Sequence, residues 1–197
     1  MPLFTSKREK HLWFWVFVVL TAIFSTLFLG QPLAELFSSQ DVRAVIFLIV
    51  MFFVGATILV HAIKTKPTKI ELTIILGIVA VYTMFVLRLG MPERSHLMEY
   101  SVLAIFIHKA ILERKNQGKQ IPRPALIAMI ITLLIGVLDE CIQIFLPDRV
   151  FDPEAIVFNG MAATMAIGSS VILNWVRQRK NRSKLKKKLG EENTKEK

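Results

Sequence analysis

Six stretches of the chain are nearly free of charge, and polar connections separate them. They cover 12–29, 44–60, 72–87, 97–107 (with apolar residues continuing to 112), 125–146 and 155–176. A membrane-spanning helix needs about 20 apolar residues, fewer where long basic side chains snorkel at its ends. The pattern therefore predicts an all-α fold: a polytopic membrane helical bundle of about six transmembrane helices, the second to fourth somewhat short. Trp13, Phe14 and Trp15 open the first stretch and read as an interfacial aromatic belt. That stretch is longer than a signal-peptide core and lacks a small-residue cleavage site, so no cleavable leader is expected.

Charge adds an orientation. Of the 25 Lys and Arg, 21 fall at the N-terminus, in the second and fourth connections or in the tail from Arg177. Only Arg43, Arg88, Arg94 and Arg149 fall in the odd-numbered connections. The positive-inside rule then puts both termini in the cytoplasm of a cell-membrane protein. Three segments follow: residues 1–90 with three helices, a second group of three over 91–176, and a basic tail over 177–197. The tail carries ten basic and three acidic residues. Beside a membrane helix such a run holds anionic lipids of the cytoplasmic leaflet; without a nucleic-acid-binding fold around it, nucleic acid is not an expected partner.

Composition agrees: 53% of 197 residues are hydrophobic and the mean hydropathy is +0.51, more apolar surface than a soluble domain of this size hides. The one cysteine, Cys141, excludes an internal disulfide. No Walker loop, dinucleotide fingerprint or nucleophile elbow is present.

The fifth stretch breaks its own pattern with GVLDECIQIFLP, residues 136–147. An acid at the centre of a spanning helix costs about 2.5–3.5 kcal/mol. Asp139 and Glu140 lie roughly 10 Å inside the end of the stretch at 1.5 Å per residue. Gly136, Asp139, Glu140 and Gln143 share one helix face by i,i+3 and i,i+4 spacing, and Gly136 would admit a neighbouring helix. That face must look inward. At the same end of the fourth stretch, His96, Glu99 and Tyr100 crowd one side of a helix, and Asn159 lies about one turn inside the sixth. Arg149 follows the fifth stretch closely and is the expected cation over the acids, with Arg88 and Arg94 as competitors.

HxxxY, then GxxDExxQ, then a P-x-R loop and an Asn ten residues beyond the Arg resemble the VanZ-like family of integral membrane proteins. The matching residues are His96, Tyr100, Gly136, Asp139, Glu140, Gln143, Pro147, Arg149 and Asn159, within 96–170. Ala155 stands where the family commonly carries an acid, six positions after the Arg, and Ala162 where it commonly has Gly. The resemblance implies a bacterial cell-envelope protein, a VanZ-like core over 91–176 and an association with resistance to the lipoglycopeptide antibiotic teicoplanin, without a defined reaction.

Three functions fit these residues. In the first, an outward cleft of His96, Glu99, Tyr100, Asp139, Glu140, Gln143, Arg149 and Asn159 binds an outer-leaflet amphiphile, a lipid headgroup or a lipoglycopeptide. In the second, His96, Asp139 or Glu140 serves as acid or base on a lipid-linked substrate. In the third, the cluster only fixes the helices, with an Asp139–Arg149 pair setting register. His96, Glu99 and a carboxylate could hold a metal, but a single histidine without a second ligand motif gives no reason to expect one, and no cofactor is expected. Cys141 turns to another face and reads as packing. His61 and His108 read as interfacial, and Ala162, Ala166 and Ser170 as a close-packing stripe.

Overall fold

The computed structural model describes residues 4–36, 67–146 and 150–195, with isolated positions 39, 45 and 49; side chains at 29–36, 91–93, 181 and 184–195 fall outside that description. The second stretch, at 44–60, lies almost wholly outside it, as do His61, Arg43, Pro147 and Arg149. Every ordered element among the described residues is helical: α1 (Lys7–Leu36), α2 (Lys69–Arg88), α3 (Met91–Asn116), α4 (Pro124–Gln143) and α5 (Pro153–Lys195). Four of them contain a segment long and apolar enough to cross a membrane, at Lys7–Phe28, Lys69–Arg88, Pro124–Gln143 and Pro153–Lys180. A multi-pass membrane protein has this form.

Proline opens α4 and α5 at their first turns, where its missing N–H breaks no helical hydrogen bond and its fixed φ suits the helix. α2 starts on a capping box. Thr68 Oγ1 accepts from the Glu71 N–H at 3.3 Å, and Glu71 Oε2 accepts from the Thr68 N–H at 2.7 Å. The bend between α3 and α4 uses Gly118 at φ 91° and Arg123 at φ 45°.

α3 is the centre of the bundle and touches α1, α4 and α5. Its register against each neighbour can be read from individual contacts. Ser6 Oγ donates to Glu113 Oε1 at 3.2 Å and Trp15 stacks on Phe106, so α1 runs antiparallel to α3. Ser101 Oγ donates to Ala162 O at 3.4 Å, leaving Tyr82 Oη as the donor to Ser101 at 3.3 Å; this chain ties α2, α3 and α5 together. α3 and α5 run parallel, with α4 antiparallel between them. Leu97, Leu103, Ala104 and Ile107 meet Ala162, Ala163, Ala166 and Ile167 in the core. The small residues on α5 let the two backbones approach closely, as the Ala162–Ala166 stripe anticipated; Ser170 is half-buried.

The outer surfaces are apolar. Phe17, Leu76, Leu134 and Val157 are all exposed, as residues facing acyl chains would be. At one end of the bundle, charges meet. Arg8 lies 3.8 Å from Glu113, Arg114 lies 3.7 Å from Glu9, and Arg177 and Lys180 lie 3.3 and 3.5 Å from Glu71. The N-terminal basic group, the α3–α4 connection, the start of α2 and the head of the tail thus share one end. The tail is not set off by a break, since α5 runs through Arg177 to Lys195.

Candidate functional site

The opposite end of the bundle holds a polar cluster built by three helices. The α4 face predicted from spacing is the buried one: Ala128, Thr132, Gly136, Asp139, Glu140 and Gln143 all point into the bundle. Cys141, one position off that face, is exposed. From α3, Tyr100 is fully buried, while His96 and Glu99 are half-buried and form the edge. From α5, Asn159 is fully buried. Seven of the eight residues singled out from the sequence therefore come together.

Contacts inside the cluster order it. Tyr100 Oη donates to Asp139 Oδ2 at 3.0 Å. Gln143 Nε2 donates to Glu140 Oε1 at 3.0 Å across one turn of α4. The field of Asp139 reaches both Glu99 and Tyr100, and His96 lies near enough to Glu140 for the same kind of coupling. The His96 and Tyr100 rings stack with centroids 6.0 Å apart. At Gly136 the helices approach closely. A Cβ there would stand 2.9 Å from Asn159 Nδ2 and 3.3 Å from Tyr100 Cε1. Glycine at this position lets α5 and α3 both lean on α4.

The expected cation, Arg149, lies outside the described residues. Of its competitors, Arg88 is exposed, and Arg94 donates from Nε to Leu89 O at 2.8 Å. A partner that sequence reading missed reaches the acids from the loop before α5: the Asp152 N–H donates to Glu140 Oε2 at 3.0 Å. Asp152 Oδ1 in turn accepts from the Glu154 N–H at 2.8 Å, as an N-cap residue does. Asp-Pro-Glu is a helix-start signal, so the turn could have been found in the sequence; its reach back to Glu140 could not. Glu154 is exposed. Ala155 is buried on Asn159's face of α5.

Among the described residues, His96 Nδ1 and both amide atoms of Asn159 are buried and find no hydrogen-bond partner. Side chains in native interiors are rarely left so, which makes this junction of α3, α4 and α5 the candidate site. Its chemistry is three carboxylates, an imidazole, a phenol and two amides, with His96 and Glu99 at its half-buried edge. Such a set accepts cations and hydrogen-bond donors, and an imidazole beside a carboxylate can move a proton. No family model matches the chain, and no curated protein or solved structure matches it either.

Proposed function

We propose that the protein is a VanZ-like membrane protein of the bacterial cell envelope, whose polar cluster forms an outward-facing cleft for the headgroup of an outer-leaflet amphiphile. The observation that carries this reading is the convergence of His96, Glu99, Tyr100, Asp139, Glu140, Gln143 and Asn159 at the end of the bundle away from the basic residues. A structural pair would use one acid and one cation. Here three acids, an imidazole and an amide whose polar atoms find no partner among the described residues come together. Two features support a six-pass topology. The basic end suits the cytoplasm, and α1 ends and α2 begins at opposite ends of the bundle, which favours the 44–60 stretch as a further crossing. Arg149 would close the cleft from the loop and hold an anionic group of the ligand.

The lipoglycopeptide teicoplanin is the first amphiphile to test, because the resemblance points to it. Expressed in a susceptible bacterial host, the wild-type chain should raise the inhibitory concentration of teicoplanin more than that of vancomycin, which lacks the acyl chain. Glu140→Gln and Asn159→Ala, matched for membrane abundance, should lose that protection. Unchanged susceptibility with wild-type protein in the membrane removes the resistance role. Protection that persists in both variants removes the cleft from it.

A further inference from the structure

We propose that His96, Asp139 and Glu140 form a binding site for a divalent transition-metal ion of the Zn2+ type. The site uses the same cluster as the cleft above but needs no amphiphile, so the two ideas can fail separately.

The geometry comes first. Among the described residues, one ligand atom from each of these three side chains lies within 4.8 Å of the other two. With Zn–N and Zn–O bonds of about 2.0–2.2 Å, neighbouring ligands of a tetrahedral ion stand roughly 3.4 Å apart. Small side-chain rotations close that difference. The residues come from two helices, α3 and α4, whose separation is set by packing at Gly136.

The second observation is independent of the acids. Asn159 is fully buried, and among the described residues neither its amide atoms nor the buried His96 Nδ1 finds a hydrogen-bond partner. Asn159 Nδ2 lies over Gly136, one turn from Asp139 and beside the Tyr100 ring that binds it. A bound ion would use the imidazole lone pair, and a water on that ion would find the Asn159 amide.

The surroundings already resemble those of a metal site. Ligating carboxylates are held in place by outer hydrogen bonds. Here Tyr100 Oη holds Asp139 Oδ2, while Gln143 Nε2 and the Asp152 N–H hold the two oxygens of Glu140. Two carboxylates and a neutral imidazole balance the charge of a dication. The imidazole favours Zn2+ over Mg2+ or Ca2+, which prefer oxygen ligands. Three protein ligands leave one position open, as in catalytic rather than structural zinc sites. A water or an anionic oxygen would fill it, and His96 and Glu99 are the half-buried residues by which one could enter.

The test uses the full chain without an affinity tag, purified in nanodiscs, equilibrated with Zn2+ and passed over a weak chelator before elemental analysis. Wild type should retain about one ion per chain, and His96→Gln, Asp139→Asn and Glu140→Gln should each lower retention about tenfold or more. His108→Gln should retain the ion. Tyr100→Phe, which removes an outer hydrogen bond, should weaken affinity about tenfold while leaving the site. Co2+ substitution should give the visible bands of a tetrahedral ion in wild type, a readout that needs no variant to fold. Wild type retaining no more Zn2+ than Glu140→Gln, and giving no Co2+ bands, overturns the proposal. So does Zn2+ binding that appears only in Arg149→Ala, which would make the guanidinium the resident cation. A chain that confers teicoplanin protection yet holds no ion would keep the cleft and remove the metal.

Discussion

A methyl group added to Gly136 would meet Asn159 Nδ2 at 2.9 Å, Asn159 Cβ at 3.1 Å and Tyr100 Cε1 at 3.3 Å. The amide nitrogen could swing away, but Cβ moves only with the α5 backbone. Gly136→Ala thus sets two magnitudes against each other: about 1 kcal/mol gained in helix propensity and about 1–3 kcal/mol lost to overpacking. Overpacking should win, lowering the unfolding midpoint in detergent. Gly168 lies on a helix facing Gly136's, with nothing within 4 Å of its own Cβ position. Gly168→Ala should show only the propensity term, a gain of up to about 1 kcal/mol. Equal stability of Gly136→Ala and wild type would sink the close-approach account. At this scale the sequence was informative. Side-chain direction on a helix follows from spacing alone, so the buried face of 136, 139, 140 and 143 and the outward turn of Cys141 were both legible. The Asp152 amide on Glu140 was not, because backbone groups leave no residue-type signal.

Elements are held by different means, and α2 is the most dependent on its start. Among the described helices its packing is chiefly against α5, with Tyr82 reaching Ser101 on α3. Glu71 does two jobs there: it closes the capping box with Thr68 and accepts Arg177 and Lys180 of α5. A cap residue is worth about 1 kcal/mol, whereas a partly exposed ion pair is worth about 0–1 kcal/mol and weakens with salt. Thr68→Ala should therefore destabilise the protein more than Lys180→Ala, and only the Lys180→Ala effect should shrink as salt is raised. Chemical unfolding of both variants at low and high salt measures this; a larger or salt-insensitive loss for Lys180→Ala would reverse the ranking. α3 shows where element reading from apolar runs loses power. It is central, yet it is the one described helix without a qualifying span. Lipid-facing helices must be apolar all round. A helix enclosed by α1, α4 and α5 can carry Ser101 and His108 in buried positions. The stretch at 97–107 looked short for that reason, although its helix runs from Met91 to Asn116.

For the whole molecule, the arrangement of charge decides how the site meets its surroundings. The ion pairs Arg8–Glu113, Arg114–Glu9 and Arg177–Glu71 gather at one end, and the acids with their partners gather at the other. Counting basic residues in the connections had already sorted them into these two groups, because sorting needs only the alternation of apolar runs. Absolute orientation needs a membrane as well. The insertion bias retains lysine- and arginine-rich segments in the cytoplasm, so the connection between α3 and α4 should face inward and the loop before α5 outward. Lys119 and Val150 are exposed representatives of the two, Val150 at 83%. In a Cys141→Ser background, Val150→Cys should react with a membrane-impermeant maleimide in intact cells. Lys119→Cys should react only after permeabilisation. The inverse pattern would turn the polar cleft toward the cytoplasm and remove the outer leaflet as its source of ligands. The expected pattern would leave the His96–Glu99 edge open to the outer headgroup region. There an amphiphile can bury its chains along the apolar faces of α4 and α5 while its polar end reaches Asp139, Glu140 and Asn159.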